Sequence, residues 1–176
     1  MWYYLFGMKK LAALIIFGIA FGLLEAIVVF YLQTILGHSL TTHLPSNSYS
    51  VLLNLGVIAF ITTHQPILKN THITSVEMFR EFSTIVMLLS VAYIAGQNIK
   101  QRIGAFFIAF AFWDIFYYVF LLFLIGWPTS LFSIDVYFLL PVPWIGPVIT
   151  PLVISLLLII SGTRLFLPQG KEKNSV

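Results

Sequence analysis

The chain has 176 residues, of which 60% are hydrophobic and only 9% are charged, and its formal net charge is +3. This charged fraction is too small to cover a water-soluble globule, so we expect an integral membrane protein. The chain has no cysteine, which excludes disulfides, thiolate nucleophiles and cysteine-ligated metals. Basic residues flank the hydrophobic segments, so we expect membrane lipids, and no nucleic acid, as partners.

Four stretches are long and apolar enough to cross a bilayer, which requires about 20 residues per helix. They lie at about 11–32, 78–96, 103–125 and 144–162. Two shorter apolar stretches, 51–61 and 131–140, cannot cross unaided and suit interfacial or re-entrant segments. The predicted fold class is therefore all-α and transmembrane, with four spanning helices and two short segments in a single domain of residues 1–176.

The distribution of basic residues predicts the orientation, because Lys and Arg concentrate in cytoplasmic loops. A cytoplasmic N-terminus leaves only Lys69 and Arg80 outside. The seven basic residues inside are then Lys9, Lys10, Lys100, Arg102, Arg164, Lys171 and Lys173. A six-span arrangement would also place seven basic residues inside and two outside. The two short stretches, which are too short to cross and are followed by prolines, favour four spans. We therefore expect both termini in the cytoplasm.

Ionisable residues within the spans are the candidate functional groups, because an isolated charge in a bilayer is costly. Glu25 lies in the first span and Asp114 near the middle of the third. Arg80, at the start of the second span, shares a helix face with Glu77 and is flanked by Glu81. Asp114 shares its face with two tyrosines, which we expect within hydrogen-bonding reach.

These groups predict one polar pocket that descends from the outer surface to the middle of the membrane. Beyond Asp114, towards the cytoplasm, the spans contain no Asp, Glu, Lys, Arg or His before the boundary. A channel would need polar partners on both sides, so the pattern favours a pocket open to the outside. An alternative is that the carboxyl groups only lock helix packing. The candidate pocket residues are Glu25, Glu77, Arg80, Glu81, Asp114, Tyr117, Tyr118 and Asp135.

Four histidines, His38, His43, His64 and His72, also fall in the predicted outer segments. Their spacings match no metal-ligand pattern, so the sequence predicts neither a metal nor another cofactor. No nucleophile stands beside a base in a recognisable motif, so the catalytic residues, if the protein is an enzyme, are not identified.

Two glycines in the first span, Gly18 and Gly22, form a G-x-x-x-G pattern. This pattern lets another helix approach closely, and a homo-oligomer through these glycines is one expected use. Three aromatic residues near the ends of spans, Trp127, Tyr137 and Trp144, are expected at the membrane interface.

Four segments between about 21 and 157 carry a resemblance: FGLLEAIVVFYLQ, EMFREFSTIVMLLSVAYIAG, FWDIFYYVFLLFLIGWP and DVYFLLPVPWIGPVITP. Through their WD-x-x-YY, GWP and PVPW-x-x-P elements they resemble an uncharacterised family of small bacterial multi-pass inner-membrane proteins. The resemblance implies a prokaryotic inner membrane and supplies no activity.

Two functions from different classes fit these observations. In the first, the pocket binds or processes a small or lipid-like substrate, Arg80 holds an anionic group, and Asp114 or Glu25 exchanges a proton. In the second, the protein is a structural or assembly subunit whose polar groups satisfy one another and whose Gly18 and Gly22 face docks a partner.

Overall fold

Four long helices dominate the computed structural model, which describes residues 2–36, 49–63 and 71–167. They are α1 (Trp2–Leu36), α2 (Thr71–Ala95), α3 (Ile99–Ile125) and α4 (Ile149–Phe166). Within these described ranges, each of the four is long and apolar enough to cross a membrane. The prediction of four spanning helices is therefore confirmed.

The helix bounds differ from the predicted spans at several ends. α2 begins at Thr71 rather than at about 78, because its first two turns, THITSVE, are mostly polar. α3 begins at Ile99, where the Asn98 side chain accepts a hydrogen bond from the backbone of Gln101 (3.0 Å) and caps the helix. α4 begins only at Ile149, because the preceding residues belong to a strand.

The all-α prediction is wrong for the two short stretches, which contribute to a four-stranded antiparallel sheet. The strands are β1 (Tyr49–Asn54), β2 (Ala59–Thr63), β3 (Ile134–Phe138) and β4 (Trp144–Pro147), in the order β1-β2-β4-β3. The two hairpins join where β2 pairs with β4, Ala59 opposite Ile145 and Phe60 opposite Trp144.

The first hairpin reverses at an Asn-x-Gly turn. The Asn54 side chain accepts a hydrogen bond from the backbone of Gly56 (2.8 Å), and Gly56 has a φ of 85°, which favours glycine. This turn chemistry divides the apolar stretch 51–61 into two strands, which is why it does not form a re-entrant helix.

α3 is the central helix and packs against each of the other three, whereas α1 and α2 barely meet. Two glycines let α1 approach α3 closely. A Cβ on Gly18 would lie 2.8 Å from the backbone oxygen of Ala109, and one on Gly22 would lie 2.7 Å from that of Trp113. The close helix approach expected at these two glycines is present, and the approaching helix is α3 of the same chain, which occupies the face proposed for an oligomer contact.

The bundle has two distinct ends. At one end, which we call the sheet end, α1 and α3 finish and α2 and α4 begin, and the two hairpins lie between them in the chain. At the opposite, basic end, Lys10 Nζ donates to the carbonyl of Ala95 (2.9 Å). There the Arg102 guanidinium lies 3.8 Å from the centroid of the Tyr93 ring. The polar pocket residues therefore share one half of the bundle, and the basic groups mark the other.

Candidate functional site

All eight predicted pocket residues line one cavity of about 230 Å³ between the helices and the sheet. All four helices contribute to its wall, and β3 and β4 contribute as well. Convergence of residues from positions 25 to 135 follows from the fold, because α1, α2 and α4 all surround α3 and the β3–β4 hairpin follows α3 directly. We call this space the polar cavity.

Arg80 is held between two carboxylates on neighbouring helices. Its guanidinium forms an ion pair with Glu25 of α1. Its Nε and Nη2 also donate to Oε1 of Glu77, at 2.9 and 2.5 Å. The i, i+3 pairing of Glu77 and Arg80 was predicted from the sequence, but the partner on α1 was not. Arg80 thereby connects α1 to α2, two helices that otherwise scarcely touch.

Glu81 connects α2 to the sheet. Both of its carboxylate oxygens accept hydrogen bonds from the backbone N–H of Leu139, at 2.8 and 3.1 Å, and the residue is buried. A carboxylate that receives a backbone N–H satisfies a donor that would otherwise be unpaired just beyond the end of β3. Glu81 therefore fixes the position of the β3–β4 hairpin relative to α2.

Asp135 on β3 is buried with 4% of its surface exposed. The Tyr118 hydroxyl donates to its Oδ2 (2.8 Å), and the backbone N–H of Val136 donates to its Oδ1 (2.9 Å). Burial raises the pKa of Asp135 to about 7, although these two hydrogen bonds act to lower it. The carboxyl group of Asp135 therefore titrates near neutral pH.

Asp114 lies deepest among the carboxyl groups and has a different partner from the one predicted. Ser155 of α4 donates to its Oδ2 (2.8 Å), and neither Tyr117 nor Tyr118 is hydrogen-bonded to it. Its second oxygen, Oδ1, accepts no hydrogen bond from any residue in the described ranges. The tyrosines, which were expected within hydrogen-bonding reach of Asp114, are therefore not its partners, because the Tyr118 hydroxyl donates to Asp135 instead.

Aromatic residues form much of the cavity wall: Phe110, Trp113, Tyr117, Tyr118, Tyr137, Phe138 and Trp144. The ring centroids of Phe110 and Trp113 are 5.2 Å apart, and those of Trp113 and Phe138 are 6.1 Å apart. Tyr137 and Trp144, which were predicted at the membrane interface, line the cavity. Trp127, also predicted there, is buried against Tyr118.

Sequence reasoning missed Ser155, the backbone N–H of Leu139, and Trp113 as parts of this wall. Ser155 had a usable signal, since it is a single hydroxyl within the apolar run VISLLLII of the fourth span. A serine hydroxyl in a helix can instead donate to the backbone carbonyl four residues earlier, so spacing alone does not show a partner on another helix.

Metal-ligating groups do not cluster in the described part of the chain: no three His, Cys, Asp or Glu side chains there are placed to hold an ion. His72 lies exposed in the first turn of α2. The other histidines that the sequence analysis considered, His38, His43 and His64, lie outside the described residues.

The helices and the cavity together define a multi-pass membrane protein with polar side chains gathered in one half of its bundle. No protein family, no curated protein and no solved structure matches the chain. Its function must therefore be argued from the cavity itself.

Proposed function

We propose that the polar cavity binds a small or lipid-like molecule at the level of the membrane. The observation that carries this proposal is the convergence of five carboxyl groups on one cavity with largely aromatic walls. These groups belong to Glu25, Glu77, Glu81, Asp114 and Asp135. A pocket with apolar walls and a few convergent polar groups is the usual form of a ligand site.

Two free-energy costs occur together at the polar cavity. An ionisable group within a bilayer costs free energy, and a cavity in a core costs further free energy because packing contacts are lost. A chain that needed only a stable fold would place apolar side chains here. A binding site accounts for both costs.

Arg80 serves this site as a positioning residue. Its Nε, Nη1 and Nη2 already donate to Glu25 and Glu77, so the guanidinium is not free to hold an anionic substrate group. We therefore do not retain the role of anion holder that the sequence suggested. The Oδ1 of Asp114, which has no donor among the described residues, is the better candidate for direct contact with a ligand and for exchange of a proton with it.

We also propose that the sheet end faces the outside of a prokaryotic inner membrane, with both termini cytoplasmic. The support is the charge bias of the loops, since Lys9, Lys10, Lys100 and Arg102 lie at the basic end. The chain has no cysteine, so single cysteines can be labelled in intact cells. A membrane-impermeant maleimide should label Leu131→Cys and spare Ile99→Cys; the reverse result would invert the orientation.

A second candidate function, a structural or assembly subunit, is favoured by the bonds that join elements across the cavity. Arg80 ties α1 to α2, and Glu81 ties α2 to the sheet. On this account the polar groups serve packing and the protein acts through a partner protein. The two candidates differ in what the cavity contains, so blocking the cavity distinguishes them.

The test blocks the cavity and measures what the purified protein retains. Ile154 of α4 lines the cavity with 41% of its surface exposed, and Ile160 of the same helix, with 52% exposed, does not line it. Native mass spectrometry after mild purification should show a discrete bound molecule on the parent and on Ile160→Trp, and none on Ile154→Trp. The proposal fails if all three proteins carry the same bulk lipids, or if the parent carries only a stoichiometric protein partner.

A further inference from the structure

Hydrogen-bond donors and acceptors are unequal in the polar cavity. Several of the donors are directed to protein acceptors: Arg80 donates to Glu25 and Glu77, Tyr118 to Asp135, and Ser155 to Asp114. The Tyr137 hydroxyl donates to the carbonyl of Pro147 (2.7 Å). The acceptors outnumber these donors, and the Oδ1 of Asp114 has no donor among the described residues. The wall also holds two donors, the indole Nε1 atoms of Trp113 and Trp144, that are buried without a partner among the described residues. It is at Asp114 in particular that a complementary ligand must bring a donor.

The formal charges around the cavity also favour a cationic ligand. Five carboxyl groups face one guanidinium across the cavity, and that guanidinium is already shared between Glu25 and Glu77. Asp114 has no cationic side chain among its hydrogen-bond partners in the described residues; a serine hydroxyl is its donor. In a medium of low dielectric constant, a positive charge on the ligand would offset such a carboxylate far more effectively than a neutral donor would.

The aromatic residues around Asp114 supply an independent observation. Phe110 precedes Asp114 by four positions on α3, and Tyr117 and Tyr118 follow it by three and four, so all three lie on the same helix face. Each of them lines the cavity, as does Trp113. Faces of aromatic rings attract cations, and a group of such rings is the usual recognition surface for organic ammonium groups.

We propose that the ligand of the polar cavity is an organic ammonium, an amine or quaternary amine with an apolar body, whose cationic head lies between Asp114 and the aromatic wall. This inference rests on the proposed function and adds the chemical class of the ligand. The apolar body fits against the aromatic and aliphatic part of the wall, which includes Val29 and Ile154. A bare metal ion fits less well, because no three metal-ligating groups come together in the described ranges.

Three probes of closely similar shape test the charge requirement: phenyltrimethylammonium, its neutral carbon isostere tert-butylbenzene, and the anion benzenesulfonate. Each is titrated against the protein in lipid nanodiscs by ligand-observed saturation-transfer NMR, with nanodiscs lacking protein subtracted. We expect saturable binding of phenyltrimethylammonium and at least about tenfold weaker binding of the other two, as expected for loss of a charge-assisted contact.

Variants locate the bound cation. Asp114→Asn keeps an oxygen that can accept the Ser155 hydroxyl, and it should weaken phenyltrimethylammonium binding by about tenfold or more. Phe110→Leu keeps an apolar side chain but removes a ring face, and it should weaken binding several-fold, so the inference stays testable if Asp114→Asn folds poorly. Phe123→Leu, on the outward surface of the same helix with 80% exposure, should leave binding unchanged.

The outcomes separate this inference from the proposed function. If tert-butylbenzene or benzenesulfonate binds as well as the cation, and Ile154→Trp abolishes that binding, the cavity is a ligand site but not an ammonium site. If none of the three probes binds saturably, the ammonium inference is overturned, and the retained molecule in the native mass spectra then decides the proposed function alone. Equal cation binding by the parent and by Asp114→Asn also overturns it.

Discussion

The two halves of the bundle use the same four helices in opposite ways. Towards the basic end, Leu88, Ile108 and Ala109 are fully buried, and a Cβ on Gly104 would lie 2.7 Å from the backbone oxygen of Gly162. Towards the sheet end, the same helices surround a cavity of about 230 Å³ lined by carboxyl groups. One half is closely packed and apolar, and the other is open and polar.

This contrast indicates where the stability of the fold arises. Lipid is as apolar as the helix surfaces, so helices in a membrane associate through close packing and interhelical hydrogen bonds. The contact of Gly104 with Gly162 between α3 and α4, and that of Gly18 with Ala109 between α1 and α3, provide such packing. The closely packed half can therefore hold the helices together while the sheet-end half keeps Asp114, whose carboxyl group has only a serine hydroxyl as its donor among the described residues.

The largest expected effect comes from removing Arg80, the cation that Glu25 and Glu77 share. Arg80→Met leaves Glu25 and Glu77 without their shared partner and should lower the free energy of unfolding by about 3–5 kcal/mol, as when one member of a buried ion pair is removed. Arg102→Met at the basic end is the control and should cost about 1 kcal/mol, since it loses a cation–π contact and a long hydrogen bond to the Gly96 carbonyl (3.3 Å). Equal losses in denaturant titrations would contradict the assignment of Arg80 to a buried cluster.

The closely packed half can be disrupted by adding volume. Gly104→Val places a side chain against the Gly162 backbone and should lower the free energy of unfolding by about 1–3 kcal/mol, the usual cost of overpacking. Ala20→Val, at an exposed position of α1, is the matched control and should change stability by less than about 0.5 kcal/mol. A similar loss in both variants would show that the α3–α4 contact is not closely packed in the membrane.

The polar half should respond to pH through Asp135. The pKa of this carboxyl group is raised to about 7 in the folded state, above its ordinary value, so between roughly pH 4 and pH 7 the folded chain holds a proton that the unfolded chain has lost. Its contribution to stability therefore falls as pH rises through this range, by up to about 1.4 kcal/mol per pH unit. Asp135→Asn lacks this dependence. The free energy of unfolding of the variant, relative to that of the parent, should therefore increase from pH 5 to pH 7.

The quantity to compare is the difference in stability between the parent and Asp135→Asn at each pH, because the other carboxyl groups titrate in both proteins and cancel. Unfolding midpoints of the parent and of Asp135→Asn are measured side by side at each pH. Parallel curves would mean that Asp135 does not change its protonation in the folded state over this range.

The sequence predicted the four helices because each span is a long apolar run, and a long run is a strong local signal. It also predicted that Glu77 shares a helix face with Arg80, which depends only on helix periodicity. It did not predict the sheet. Pairing of Ala59 with Ile145 joins residues far apart in the chain, and a short apolar run does not distinguish a strand from a buried helical segment.

The partners of the polar groups show the same limit. Helix periodicity placed Asp114 beside Tyr117 and Tyr118, but it could not show that Ser155 reaches Asp114 or that Tyr118 turns to Asp135. These partners lie on elements whose positions depend on the packing of α4 and on the sheet. Local spacing therefore identified the residues that line the cavity, whereas the three-dimensional fold was needed to pair them.

The most direct test of the central claim, that the polar half is kept for binding rather than for stability, is the free energy of unfolding of Asp114→Asn in lipid nanodiscs near neutral pH. The substituted amide retains the shape of the aspartate side chain and an acceptor for Ser155. The account predicts that the variant is as stable as the parent or more stable, because it removes a group that opposes folding. A loss of several kcal/mol would show that Asp114 locks the helices together and would contradict the claim.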